Sequence, residues 1–339
     1  MIDELDLALV DALRVEPRAP WSRLAGPLGV DPATLSRRWA RLAAAGDAWV
    51  ASYPSLGGAG YGVLAMVEVE CLAGRVAAVA AELAGDPVAA TVEVVSGRAD
   101  LLLTVAGVSQ QQLARYVLER VAVLPGVLRT RTTLVERLVR EGSHWRDGAL
   151  DAGQREAIAV RAEPVPSDAA GDLVRDRELL RVLGDDGRLP FAELAQRTGL
   201  PVSTVRRRLG QLRASGRLVL RCDTSSRLTG RPVSVRLWLE VPGAQLGPAV
   251  RWLAGLPQTR MCALTVGAGN LLVSLVVRQL GELRVLEERL AARAPGAVVR
   301  ERQVPLRTVK LVGRLLEEGG RARGFVPIDP WFGAEVTPG

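Results

Sequence analysis

The sequence predicts an α+β protein built as two tandem copies of one unit. Three observations carry that expectation: the chain matches itself at an offset of 170 residues, each copy opens with amphipathic helical patterns, and each then switches to alternating strand and helix periods. At 339 residues the chain is long enough for several small cores.

The self-match is specific. An offset of 170 sets Gly29 on Gly199, Thr34 on Thr204, Arg37-Arg38 on Arg207-Arg208, Gly46 on Gly216, Pro87 on Pro257, Gly97 on Gly267 and Pro125-Gly126 on Pro295-Gly296. Glycine and proline holding one register are hard to obtain by chance in an Ala/Leu/Arg-rich chain. Glu141 to Gly171, ending in Glu163-Pro164-Val165-Pro166-Ser167-Asp168, has no counterpart of comparable quality and reads as a linker, with a helix expected within Leu150 to Val160. The expected division is therefore a helical domain at 1–52, an α/β domain at 60–140, the linker at 141–171, the second helical domain at 172–222, the second α/β domain at 230–316, and a C-terminal tail at 317–339.

The opening part of each copy reads as a helix-turn-helix. Asp3 to Leu13 carries Leu5, Leu9 and Leu13 on one face with acids in its first turn. Trp21 to Leu28 follows, then Gly29 for a tight turn, then Asp31-Pro32 as an N-cap with proline at the first helical position. On the third helix Leu35, Trp39 and Leu42 must face inward, which leaves a basic and polar outer face. Such a helix enters the major groove of DNA with its N-terminal residues nearest the base edges. Arg37, Arg207 and Gln211 are assigned to bases, and Thr34, Arg38, Ser203, Thr204 and Arg208 to phosphate or mixed contacts, with Arg41 and Arg206 completing the face. Ala48 to Ser52 reads as a short strand or wing.

Charge agrees with a polyanionic partner. The net charge is +7, and of 44 basic residues Lys310 is the one lysine. Cys71, Cys222 and Cys262 are too scattered for a disulfide framework or a metal site. No catalytic constellation and no metal site are expected, and His144, the single histidine, gives a hydrolytic triad little material. Met1 to Asp6 is acidic and lacks the order of a secretory signal, so a cytoplasmic protein is expected.

After the helical domain, Tyr61 to Glu70, Val88 to Val95, Leu101 to Val105 and Val127 to Val139 alternate as strands, while Arg75 to Ala84 and Gln110 to Val123 read as helices. That order is βαββαβ, a ferredoxin-like unit.

This two-part unit resembles the Lrp/AsnC (feast/famine) family of bacterial regulators. Val95-Ser96-Gly97-Arg98-Ala99-Asp100 resembles the family's G-x-x-D segment between the second and third strands, and Arg129-Thr130-Arg131-Thr132 its threonine-bearing last strand. The resemblance implies winged helix-turn-helix domains joined to ligand-sensing, RAM-type domains that pair through their sheets. It also implies an amino acid or related effector near Gly97, Asp100, Thr130 and Thr132, although Gly97 and Asp100 can equally build a turn. No other cofactor is expected. The second copy keeps Gly267 but has Asn270, Arg300 and Arg302 at the other three positions, so only the first copy is expected to bind an amino acid. Two linked units can pair within one chain or exchange partners between chains, and a homo-oligomer and an imperfectly palindromic operator are expected. Two alternatives compete: a siroheme decarboxylase-type enzyme, which shares the architecture, and a non-DNA-binding assembly scaffold.

Overall fold

The computed structural model describes residues 2–55, 62–146, 148–160, 173–225, 228 and 233–333; the Glu163 to Asp168 stretch and the expected strand start at Tyr61 lie outside them. The first copy runs α1 (Glu4–Val15), α2 (Trp21–Leu28), α3 (Pro32–Ala44), β1 (Ala48–Pro54), β2 (Val63–Cys71), α4 (Val76–Ala84), β3 (Ala89–Val95), β4 (Leu101–Gly107), α5 (Gln110–Arg115) with a π-helical continuation at Tyr116–Val121, and β5 (Val127–Arg140). A turn at Gly142–His144 and α6 (Ala152–Ile158) follow. The second copy repeats the order: α7 (Leu173–Asp185), α8 (Phe191–Thr198), α9 (Val202–Ala214), β6 (Leu218–Thr224), β7 (Val233–Glu240), α10 (Gly243–Gly255), β8 (Thr259–Val266), β9 (Leu271–Val277), α11 (Glu282–Arg293), β10 (Val298–Gln303) and β11 (Pro305–Leu311). Two short strands, β12 (Arg314–Leu316) and β13 (Ala322–Phe325), close the chain. No helix among the described residues is long and apolar enough to cross a membrane.

Local chemistry explains the helical starts. Asp3 caps α1 in a reciprocal box with Asp6, and Asp31 caps α3 by accepting from the Thr34 backbone N–H, with Pro32 at the first position. Gly29 and Gly199 end the preceding helices at φ 66° and 68°, a left-handed conformation that favours glycine.

Each α/β module is a four-stranded antiparallel sheet, β5-β2-β4-β3 in the first and β10-β7-β9-β8 in the second. The helices cover one face of each, over separate cores built on residues such as Val67, Leu83 and Leu103, and Leu237, Leu253 and Val273. The opposite faces meet in a core of Met66, Val95 and Leu102 against Trp238 and Leu272.

Strand exchange seals the pair. β5 leaves its own sheet to pair with β8, and β11, one residue beyond β10, pairs with β3. Val135↔Thr265 and Arg140↔Cys262 on one side correspond, after 170 residues are added or subtracted, to Pro305↔Val95 and Lys310↔Val92 on the other, with both register shifts repeated. The two copies are thus related by a pseudo-two-fold axis, with the pairing made within one chain.

Two regions differ from the sequence-based expectation. The strand expected as a wing pairs instead with its counterpart: β1 and β6 form an antiparallel ribbon in which Ala51 faces Arg221, its own repeat equivalent, so the pseudo-axis passes between them. The C-terminal segment is built into the fold, because β13 extends the sheet from β12 and Trp331 fills the second helical core. An apolar tryptophan in a final segment gains by burying its ring, which composition alone does not reveal.

Candidate nucleic-acid interface

The first three-helix domain packs Leu9, Leu13, Leu24, Leu35 and Leu42 into one core, and the second packs Leu179, Leu183, Leu194, Val205 and Leu209. Burying these faces turns the opposite sides of α3 and α9 outward. Arg37 and Arg207, the residues assigned to bases, are both exposed, as are Arg41, Ser203 and Arg206, while Thr34, Thr204 and Gln211 are half-buried.

The arginines then divide by partner. Arg38 donates to Asp3 at 2.8 Å and to Asp6 at 3.0 Å, and Arg41 donates to Asp6 at 2.6 Å. In the second copy Arg208 pairs with Asp176, the equivalent of Asp6. Asp6 and Asp176 are almost fully buried, so each holds an arginine of the outward helix against the first helix of its domain. Hydrogen bonding to Arg38 holds the Asp3 carboxyl below its usual range. Arg38, Arg41 and Arg208 therefore brace the helices, a role the sequence assignment to DNA contact did not include. Among the described residues, Arg37 donates only to the Thr34 hydroxyl at 3.2 Å, and Arg207 only to the Gln211 carbonyl at 3.4 Å. Arg206 lies over the Phe191 ring at 4.6 Å.

A reciprocal clasp fixes the two domains relative to each other. Arg18 donates to the carbonyl oxygens of Gly187 and Leu189, the latter at 2.8 Å, and Arg188 donates to those of Pro17 at 2.6 Å and Ala19 at 2.9 Å. Arg18 also covers the ring of Phe191 at 4.9 Å, and Arg188 that of Trp21 at 3.9 Å. Every member of one set is the 170-residue equivalent of a member of the other. Burial lowers the pKa of both guanidiniums, that of Arg188 to about 10. The repeated Arg-x-Pro-aromatic pattern, Arg18-Ala19-Pro20-Trp21 and Arg188-Leu189-Pro190-Phe191, is the signal that could have revealed this contact. Helix α1 packs on β6 and α7 on β1, which interlocks the domains further.

The four effector candidates do not converge. Gly97, at φ 106°, sits against the second copy: a Cβ there would lie 2.5 Å from Glu301 Oε1, which also accepts from the Arg98 backbone N–H at 3.0 Å. Asp100 Oδ2 accepts from the Cys71 backbone N–H at 2.8 Å, and Asn270 does the same for Val241 at 3.0 Å. Both residues close the same turn. Thr130 is half-buried and Thr132 exposed; they share a strand face with Leu134, which packs toward the helix-side core, away from the inter-sheet face that Gly97 meets. Arg300 and Arg302, which stand at the threonine positions in the second copy, pair with Glu240 and Glu287.

A cavity of about 550 Å³ lies beneath the β1–β6 ribbon and between the two sheets. None of the four effector candidates lines it, whereas His144 does.

Comparison with known proteins agrees with this architecture. Residues 2–43 match the AsnC-type helix-turn-helix domain, residues 64–144 the Lrp/AsnC ligand binding domain, and residues 174–219 a winged helix-turn-helix DNA-binding model. An uncharacterized HTH-type transcriptional regulator of Pyrococcus abyssi is 31% identical over 120 residues, covering 34% of this chain and 75% of that protein. A second such regulator, from Pyrococcus horikoshii, is 27% identical over 144 residues, covering 42% and 90%. Among solved structures, the siroheme decarboxylase NirDL superposes with a TM-score of 0.57 over 97% of both chains at 15% identity, a likeness of fold. Both helix-turn-helix domains, the sensing module and the regulator relatives together establish that the chain belongs to the Lrp/AsnC family of HTH-type transcriptional regulators.

Proposed function

We propose that the protein is a sequence-specific DNA-binding regulator that acts in the cytoplasm, reads two half-sites with α3 and α9 of one chain, and responds to a small molecule, an amino acid or a relative of one. The observation that carries this reading is the pair of exposed, weakly partnered arginines, Arg37 and Arg207, at equivalent places on two outward helices whose mutual orientation the clasp fixes. An arginine so placed can pair bidentately with guanine. Because Arg41 is matched by Gln211, the half-sites differ and the operator is an imperfect palindrome. The family's habit of pairing through its sheets supports further self-association.

A gel shift with the DNA upstream of the chain's own gene tests the reading. Retardation that weakens steeply with salt is expected. Arg37→Ala with Arg207→Ala should lower affinity by about 2–6 kcal/mol, from about 1–3 for each bidentate contact. Unchanged retardation of the double variant would overturn the assignment.

A second reading, a decarboxylase-type enzyme, draws on His144, which lines an arginine-rich cavity in a fold shared with a siroheme decarboxylase. An absorbance band on mixing with siroheme, together with no DNA shift, would favour it.

A further inference from the structure

We propose that the cavity beneath the β1–β6 ribbon binds an organic carboxylate with an apolar body, and that this cavity is where the paired halves sense their small molecule. The inference deepens the regulator reading and rests on it for its consequence, though not for the binding itself.

Its volume, about 550 Å³, lies in the range of small-molecule sites. Duplication has made its two ends unlike. Toward the end of β5 the wall carries Arg137, Ser143, His144 and Arg260; their repeat equivalents are Arg307, Gly313, Arg314 and Ala90. At the pseudo-symmetric end the wall is Ala90, Leu311, Val312 and Ile328, with Leu311 and Val312 in place of Glu141 and Gly142. Met66 and Met261 line the space between, and thioethers adapt to varied apolar shapes. One end is cationic and the other apolar.

The cationic end has hydrogen-bonding capacity to spare. Among the described residues seven arginines line the cavity against a single acid, Glu141, whose oxygens already accept from the Tyr53 and Ser143 hydroxyls. Asp223 sits behind Arg221 and Arg260, and Glu93 behind Arg236. Arg137, exposed at the end of β5, makes no ion pair with any described residue and borders the cavity directly. A guanidinium that borders a cavity without an ion pair is a ready bidentate donor for a carboxylate. The roof connects the site to the DNA-reading domains, because Tyr53 and Arg221 belong to the ribbon that leaves α3 and α9, and both reach Glu141 at the end of β5. Gly142 is needed there: a Cβ would lie 2.5 Å from Arg221 Nη1.

Isothermal titration of the full chain with 2-naphthoate and decanoate, each set against its neutral amide, tests the proposal. The carboxylates are expected to bind at one site per chain and at least about tenfold more tightly than the amides. Arg137→Gln should remove that preference, Ala90→Phe should weaken both forms by filling the apolar end, and Asp100→Ala should change neither. No binding of the carboxylates, equal affinity for acid and amide, or loss of binding on Asp100→Ala would overturn it. A gel shift of the unliganded chain, run in parallel, reports separately on the regulator reading.

Discussion

The two halves are alike in how their backbones pair and unlike in the side chains at the two ends of the cavity between them. Across the pseudo-axis the clasp, the ribbon and the exchanged strands repeat the same pairing, down to the register shifts. At the cavity ends and along the last strands the same positions have diverged, Glu141 against Leu311, His144 against Arg314 and Thr130 against Arg300. Backbone pairing across a two-fold axis constrains both members at once, yet it tolerates different side chains, as in the ribbon where Ala51 faces Arg221.

The largest expected effect breaks the symmetric part. Arg18→Ala and Arg188→Ala each leave two carbonyls without a charge-assisted donor and expose an aromatic ring, so each should cost about 2–3 kcal/mol of stability. Urea midpoints of the two variants should agree; a marked inequality would mean that the clasp is not truly reciprocal.

Next in size is a contact that the two halves do not share. Gln303, fully buried, accepts from Trp238 Nε1 at 2.8 Å and donates to Glu68 Oε1 at 2.8 Å, while its equivalent in the first half is Thr133. Gln303→Leu should therefore cost about 2 kcal/mol by stranding the indole N–H and the Glu68 carboxyl. Thr133→Val should cost less than half as much by the same measurement.

A third prediction concerns pH. Lys310 donates to the Asp86 carbonyl at 2.9 Å, and its equivalent Arg140 donates to Leu256, the equivalent of Asp86, at 3.2 Å. Burial lowers the Lys310 pKa to about 7, whereas an unfolded lysine titrates near 10.5. Between these values the unfolded chain binds the extra proton, so this group's contribution to stability rises with pH above about 7, at up to about 1.4 kcal/mol per pH unit, and is level below it. Lys310→Arg should remove that slope between pH 7 and 8.5, and a slope identical to that of the unaltered chain would contradict the assignment.

The smallest effect is expected at the diverged turn. Asp100→Asn should change stability by less than about 0.5 kcal/mol, since Asn270 makes the same bond in the second half, while Asp100→Ala should cost about 1 kcal/mol.

Much of the fold was legible in the sequence. The repeat offset, Gly29 and Asp31-Pro32 as punctuation, and the βαββαβ order are local signals, and the structure reproduces them closely. What the chain hid is long-range. Arg18 and Arg188 read as ordinary basic residues until the opposite loops come within reach, and Arg38 and Arg208 read as DNA contacts because Asp6 and Asp176 are 32 residues away in sequence. The segment from Ala48 to Pro54 reads as a short strand or wing, and nothing local states that its partner is its own repeat. The cavity is assembled from both halves, so no single motif announces it.

The most direct test of one chain reading two half-sites is guanine methylation interference on the bound operator. Two major-groove patches about one helical turn, or a multiple of it, apart are expected. Arg37→Ala should erase interference at one patch and Arg207→Ala at the other. A single patch, or the same loss from either substitution, would contradict it.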